Sequence, residues 1–530
     1  MESVKRGHRQ TVVGGVAILT LAGLLVKVIG VFYKIPLTYM LGDEGMGYFN
    51  AAYTIYAWLY MVSTAGIPVA VSILVSEADA RGQAKRVKKI FRLSGGILLA
   101  LGTVTTAVML FFSRGIARLL GSPDAHYAIA AIAPTLFFVC LTSLFRGYFQ
   151  GYRVMTMTAV SQLLEAFGKL LLGIAFAKWA IRTGRPLPVV ASYAILGVTV
   201  GTAAGTLYLL LRFLFSKKKF RTEDAGEPSY ASGRQLVVRL LRIAIPVTIS
   251  ASVVSLTGLI DLGMMIRRLV SIGYTRVEAT ALFGNYTTLV VPMFHLPSVV
   301  VTPIATGIIP ALSHARARGD TEEAVRLTDW AFRLAAIIAV PASLGFAVFA
   351  RPVLALLYPP ASAATAYRLL AYLAPAVYFL CMLTVANAVL QAAESTVTPM
   401  IGMLLGGGVK TVAGYLLMGI PTVGIAGVPA GTVLCYLTAM LFGMVMMGRR
   451  TGYYPRMREM LVLPAISAGL GVGIAGLIYY RFFVGSRFVG SILCIALAAA
   501  LYFLFSLLFG SLRHEDFAEV FSRRRKENRG

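Results

Sequence analysis

Charge is scarce in this chain. Only 13% of its 530 residues are Asp, Glu, Lys or Arg, about half the roughly 25% of an ordinary soluble domain. Acids are scarcer still, 22 against 49 basic residues, leaving a net charge of +27. The four cysteines (Cys140, Cys381, Cys435, Cys494) lie inside apolar runs, without disulfide or metal-ligand spacing. They read as small core residues, so no metal site is expected. The five histidines are scattered, with no HExxH and no Ser/His/Asp arrangement. No Gly-rich loop ends in Lys-Ser or Lys-Thr, which excludes nucleotide hydrolysis by a P-loop. Gly471-Val472-Gly473-Ile474-Ala475-Gly476 fits GxGxxG but lies in an apolar run, where it reads as helix packing. Neither an enzyme nor a cofactor is expected.

Apolar residues fill the space that charge leaves, 58% of the chain. A membrane span needs about 20 mostly apolar residues, and about fourteen such runs can be counted. They lie near residues 11–40, 46–75, 92–112, 127–150, 154–177, 188–211, 241–266, 279–312, 331–350, 369–391, 397–418, 424–447, 460–480 and 488–510. The first is too long for a signal-peptide core and is expected to be a retained span. The expected fold class is therefore an all-α integral membrane protein.

Basic residues are placed unevenly between these runs. With a cytoplasmic N-terminus, about 32 fall in the N-terminal arm, the even loops and the tail, and about 12 in the odd loops, which is the positive-inside asymmetry. It places both termini in the cytoplasm of a cell that carries the protein in its plasma membrane. The clusters Lys85-Arg86-Val87-Lys88-Lys89, Lys217-Lys218-Lys219 and Arg523-Arg524-Arg525-Lys526 then face anionic lipid headgroups rather than nucleic acid. Residues 83–92 read as a short helix on that surface.

An internal repeat runs through the chain. Lys169 follows Gln150 by nineteen residues and Lys410 follows Gln391 by nineteen; the same offset of 241 places Ala133-Pro134 on Ala374-Pro375 and Cys140 on Cys381. Gly197 and Gly201-Thr202 answer Gly427 and Gly431-Thr432. Each half holds six runs, an even number, so both enter the membrane in one orientation, as in transporters built from parallel repeats. The expected organisation is a six-helix lobe at 1–215, a polar linker at 216–233, a second lobe at 234–450, two added spans at 451–510 and a basic tail at 511–530.

A lysine at the bilayer centre costs about 2.5 kcal/mol or more, so it marks a functional site by default. Lys169 and Lys410 meet that description twice, in register. Lys27 and Lys34, seven residues apart, share a face of the first span. They either wall a cationic cavity or snorkel to the membrane edge. Glu165 precedes Lys169 by four residues, the favourable order for a helical ion pair, which would neutralise that lysine. Lys410 has Gly406 at the matching place. Asp261 either balances a lysine or binds a coupling ion. Arg267-Arg268 end the seventh span; His295 and Arg333 are further candidates for the cavity.

Several segments resemble a known family. Leu327-Thr328-Asp329-Trp330-Ala331-Phe332-Arg333-Leu334 with Pro341-Ala342, and Lys27-Val28-Ile29-Gly30, look like segments of bacterial lipid II flippases of the MurJ type. Leu41-Gly42-Asp43-Glu44-Gly45-Met46-Gly47, Ala65-Gly66-Ile67-Pro68-Val69-Ala70 and Ile260-Asp261 with Arg267-Arg268-Leu269 look closer to the stage V sporulation protein B and polysaccharide biosynthesis branch of the same MOP superfamily. The resemblance covers about residues 1–510 and implies fourteen helices in two lobes around a cationic cavity, with the last two spans grooved for a polyprenyl tail. By position, Lys27 replaces a functional arginine, Tyr33 stands just before Lys34 at a second basic position, Tyr60 replaces an arginine and His295 a glutamate. The implied activity is alternating-access translocation of a lipid-linked diphosphate glycan, with Lys27, Lys34, Lys169, Lys410, Arg267, Arg268, His295 and Arg333 facing the headgroup. Asp261 and Glu165 would balance charge or couple an ion. A cation antiporter of the same superfamily, a flippase for another glycan and an envelope scaffold are the alternatives.

Overall fold

The computed structural model describes residues 12–216, 232–395, 397–483 and 488–511, and among them there is no β-strand. Residues 217–231 of the expected linker at 216–233, and the basic tail beyond 511, lie outside the described residues. In chain order the helices are α1 (Val12–Thr64), α2 (Gly66–Ala80), α3 (Ala84–Phe111), α4 (Ser113–Leu119), α5 (His126–Gly151), α6 (Met155–Arg182), α7 (Leu187–Ser216) and α8 (Gly233–Ser271). They continue as α9 (Arg276–Asn285), α10 (Val291–Ala317), α11 (Thr321–Leu357), α12 (Pro360–Ala392), α13 (Val397–Met418), α14 (Gly427–Thr451), α15 (Leu463–Ile478) and α16 (Val489–Leu508).

Every apolar run of the sequence falls on a helix. Among the described residues 12 helical stretches are long and apolar enough to cross a bilayer, the first of them Ile18–Ala80, 63 residues long. At about 1.5 Å per residue that stretch is far longer than a ~30 Å hydrocarbon core. It is broken at Gly42, whose φ of +62° only glycine adopts freely, so the first two expected runs share it. The short surface helix expected at 83–92 is instead the opening of α3, which runs unbroken from Ala84 through Gly95-Gly96 to Phe111. Large side chains such as Phe111 (85% exposed) and Leu171 (64% exposed) cover the outer faces. Such faces are stable against lipid, where the helices satisfy their own backbone hydrogen bonds.

Two compact units divide at Gly284 and Asn285. In the first, α2, α3, α5, α7 and α8 enclose an apolar core that includes Leu74, Leu98, Phe149 and Leu209. The Phe91 and Phe213 rings stack within it at 4.7 Å. The helix α8 opens the second sequence repeat yet packs on α1 and α2 of this unit. A capping box between Ser232 and Gln235 starts it, and a 2.8 Å ion pair joins its Arg239 to Glu77 of α2. Gly66 is needed where the two helices meet, since a Cβ there would overlap the Ala244 carbonyl.

The second unit is built on α11 and α12. Asp320 caps α11 by accepting from the Glu323 N–H at 2.9 Å, and the acids Glu322 and Glu323 complement that helix end. Asp329, of the segment that carries the resemblance, accepts a hydrogen bond from the Tyr453 hydroxyl beyond α14. Burial and that bond hold the Tyr453 phenol well above its ordinary pKa. The added helices α15 and α16 lie against α11, with the Tyr502 hydroxyl donating to the Ile337 carbonyl at 3.0 Å. The GxGxxG pattern is helix packing, as expected: a Cβ on Gly471 would stand 2.7 Å from the Tyr502 backbone N, and one on Gly476 2.7 Å from Val348.

Candidate functional site: a tyrosine-lined cationic cavity

The first unit contains a cavity of about 330 Å³, bordered by α1, α6, α7 and α8. That volume lies within the range of about 300–1,000 Å³ typical of small-molecule sites. Its tyrosines come from one stripe of α1. Phe49, Tyr53, Tyr56 and Tyr60 follow at steps of four, three and four residues, so they stack on one helix face. Successive ring centroids lie 5.8, 5.5 and 5.7 Å apart. The opposite wall is α6, which contributes Gln162, Glu165 and Lys169.

Glu165 does not pair with Lys169, as the four-residue spacing led us to expect. Its ion pair is with Arg146 of α5, at 2.9 Å, with the two side chains 18% and 8% exposed. Arg146 also donates to the Ser161 hydroxyl at 3.0 Å and hydrogen-bonds Tyr60. The guanidinium offers five donors in a flat fork, so it outcompetes a lysine on the same helix for a half-buried carboxylate. Lys169 instead lies over the face of Tyr33, 5.5 Å from its centroid. Tyr33 is fully buried, donates to the Ala194 carbonyl at 3.0 Å and packs against Gly173. It is a wedge between α1, α6 and α7 that carries the lysine on its ring. Lys34, next along α1, is half-buried and close enough to Lys169 for the two charges to repel. Lys169 and Glu165 line the cavity itself, while Arg146 on Glu165 and Lys34 near Lys169 stand outside the lining, so three cations and one carboxylate gather at its edge, a surplus of two positive charges.

The other residues expected at the site are dispersed. Lys27 is exposed on α1 and outside the cavity lining; Asp261 and Arg268 are half-buried on α8, and Arg267 is exposed beside Gly121. Lys410, His295 and Arg333 belong to the second unit, where Lys410 is half-buried on α13, Arg333 half-buried on α11, and His295 exposed against Phe294. Sequence reasoning passed over Arg146, Gln162, Tyr53 and Tyr56. A guanidinium midway along an apolar run and an aromatic stripe at helical spacing were the available signals.

The repeat is visible in how the lysine-bearing helices pack. Gly201 of α7 presses on the α6 backbone at Lys169, and Gly431 of α14 presses on the α13 backbone at Lys410. A Cβ would stand 2.8 Å from the Lys169 N in one and 3.1 Å from the Lys410 O in the other.

A family model described as polysaccharide biosynthesis protein matches residues 12–316, more than half of the chain. The chain belongs to that family. A second model, MatE, matches residues 286–416. Among the chain's relatives, stage V sporulation protein B of Bacillus subtilis (strain 168) is 26% identical over 97% of this chain and 98% of its own. Lipid II flippase MurJ of the same organism is 22% identical over 87% of each chain. The fold resembles an inward-facing multidrug resistance MATE transporter of the MOP superfamily, with a TM-score of 0.67, 17% identity, and 85% and 97% of the two chains covered. This member of the family is a multi-pass membrane protein, and its MurJ relative is a flippase and its MATE neighbour a transporter rather than an enzyme.

Proposed function

We propose that the protein is a flippase that carries a lipid-linked diphosphate glycan of the lipid II type from the inner to the outer leaflet by alternating access. The observation that carries this reading is the surplus of positive charge at the edge of a cavity set among membrane-spanning helices, where Lys169 lines the cavity and Lys34 stands just outside it. A diphosphate brings at least two negative charges, and desolvating it is costly unless cations meet it. Lys169 and Lys34 can supply charge-assisted hydrogen bonds in place of water. The Arg146–Glu165 pair is internally neutral and holds the wall together. An apolar tail can remain in lipid during the crossing, so the protein shields only the headgroup.

The relationship to MurJ supports this assignment. The MatE match and the MATE-like fold are equally compatible with a cation antiporter, but such a protein would need a free acid at the cavity, and the one carboxylate in this lining, Glu165, is held by Arg146. Both termini face the cytoplasm in this scheme, and further basic groups for the headgroup are Lys27, Arg267 and Arg268 in the first unit and His295, Arg333 and Lys410 in the second. Asp261 serves as the acid nearest a coupling ion.

Native mass spectrometry of purified protein with lipid II and with a cationic drug tests the proposal. Lipid II retention should fall at least tenfold in Lys34→Ala/Lys169→Ala. Retention of the drug alone, or lipid binding indifferent to both lysines, would refute it.

A further inference from the structure

Lys169 accounts for only part of the cavity lining. Beside it and on the facing helices stand neutral polar groups: Tyr53, Tyr56 and Tyr60 on α1, Gln162 on α6, Thr202 on α7 and Ser255 on α8. These groups do not share one role. The Tyr60 hydroxyl is engaged by Arg146, and Tyr56 is only 6% exposed, so both belong to the wall. Tyr53 is half-buried and reaches the cavity from the middle of the aromatic stripe, where Phe49 stacks behind it at an interplanar angle of 14°. Gln162 is half-buried, and its side-chain oxygen is shielded from solvent with no hydrogen-bond partner among the described residues.

A buried acceptor left unsatisfied is unfavourable and calls for an explanation. Together, a ring backed by Phe49 and a lining amide whose oxygen has no partner of its own match the two faces of a sugar. The apolar C–H face of a pyranose lies on the electron-rich face of an aromatic ring. Its hydroxyl and N-acetyl N–H groups donate to an amide oxygen. We infer that Tyr53 and Gln162 form a sugar subsite beside the lysines, so that the cavity reads the first sugar of the headgroup as well as its charge. This rests on the flippase reading and assigns the specificity within it.

The test compares two lipids with a diphosphate on the same tail: lipid II, with its sugars and stem peptide, and undecaprenyl diphosphate, which lacks both. Retention of each by the wild type, Tyr53→Leu, Tyr53→Phe and Gln162→Leu is measured by native mass spectrometry of the full chain. Wild type should retain the sugar-bearing lipid at least tenfold better. Tyr53→Leu and Gln162→Leu should each remove most of that preference while retention of undecaprenyl diphosphate stays within twofold, since a site built around a donor loses discrimination when its acceptor goes. Tyr53→Phe keeps the ring and should keep most of the preference, and it controls for folding. A wild type without preference, or a preference that survives both Leu variants, overturns the sugar subsite and leaves the flippase standing. Retention of neither lipid by the wild type overturns both.

Discussion

The two halves of the chain carry the same lysine on the same kind of helix pair, yet they furnish its surroundings differently. In the first, Arg146 and Glu165 form an ion pair across α5 and α6. The offset of 241 puts Asn387 and Gly406 at those two places in the second half. Both members of the pair are neutral there, and the Asn387 side-chain oxygen has no hydrogen-bond partner among the described residues. A lone Arg or a lone Glu left in the membrane would cost far more than losing the two together. The glycine that presses on the lysine helix is kept in both halves. The repeat therefore preserves how α6 meets α7 and α13 meets α14, while the chemistry around the lysine diverges in matched, charge-conserving steps.

The comparison breaks most sharply at the ion pair. Arg146→Met leaves Glu165 half-buried without its partner and should cost about 3–5 kcal/mol. Adding Glu165→Met should recover most of that loss, and Asn387→Leu in the other half should cost little. Thermal unfolding in detergent reads all three, and equal shifts for Arg146→Met and Asn387→Leu would remove the distinction between the halves. The shared packing is probed next. A Cβ on Gly197 would overlap the Gly173 backbone, whereas one on Gly431 would stand 3.1 Å from the Lys410 carbonyl. Gly197→Ala should therefore cost about 1–3 kcal/mol and Gly431→Ala clearly less, by the same unfolding measurement.

A smaller effect is expected where the first lysine rests on its ring. Tyr33→Leu removes a cation–π contact of about 0.5–2 kcal/mol, and lipid II retention should weaken several-fold, with Tyr33→Phe nearer wild type. Retention that follows the hydroxyl instead of the ring would show that the Ala194 bond matters more. The smallest effect belongs to the Glu77–Arg239 pair, which is about a third to a half exposed. Glu77→Gln should cost under about 1 kcal/mol and fade with added salt; a large loss that resists salt would mean that α2 and α8 depend on it.

Periodicity and composition made much of the fold legible. Each apolar run became a helix, the repeat placed Lys169 and Lys410 on equivalent helices, and the glycine pattern in α15 proved to be packing against α16. The site was legible only in part. Four-residue spacing suggested that Glu165 would take Lys169, but spacing along one helix says nothing of what a neighbouring helix brings. Arg146 lies nineteen residues upstream of Glu165 and reaches it only because α5 packs behind α6. Tyr33 and Tyr60 stand where the resemblance led one to expect cations. Their places are taken in space by Lys169 over one ring and Arg146 beside the other.

The balance of charge in the cavity also sets where an electric field can do work. Moving one elementary charge through 100 mV is worth about 2.3 kcal/mol. The Arg146–Glu165 pair, being neutral, contributes nothing. In the proposed cycle a diphosphate on Lys34 and Lys169 would cancel their charge, so the loaded site would cross the field as an uncharged body. The emptied site would keep two positive charges, and voltage would then act on the return stroke rather than on the delivery.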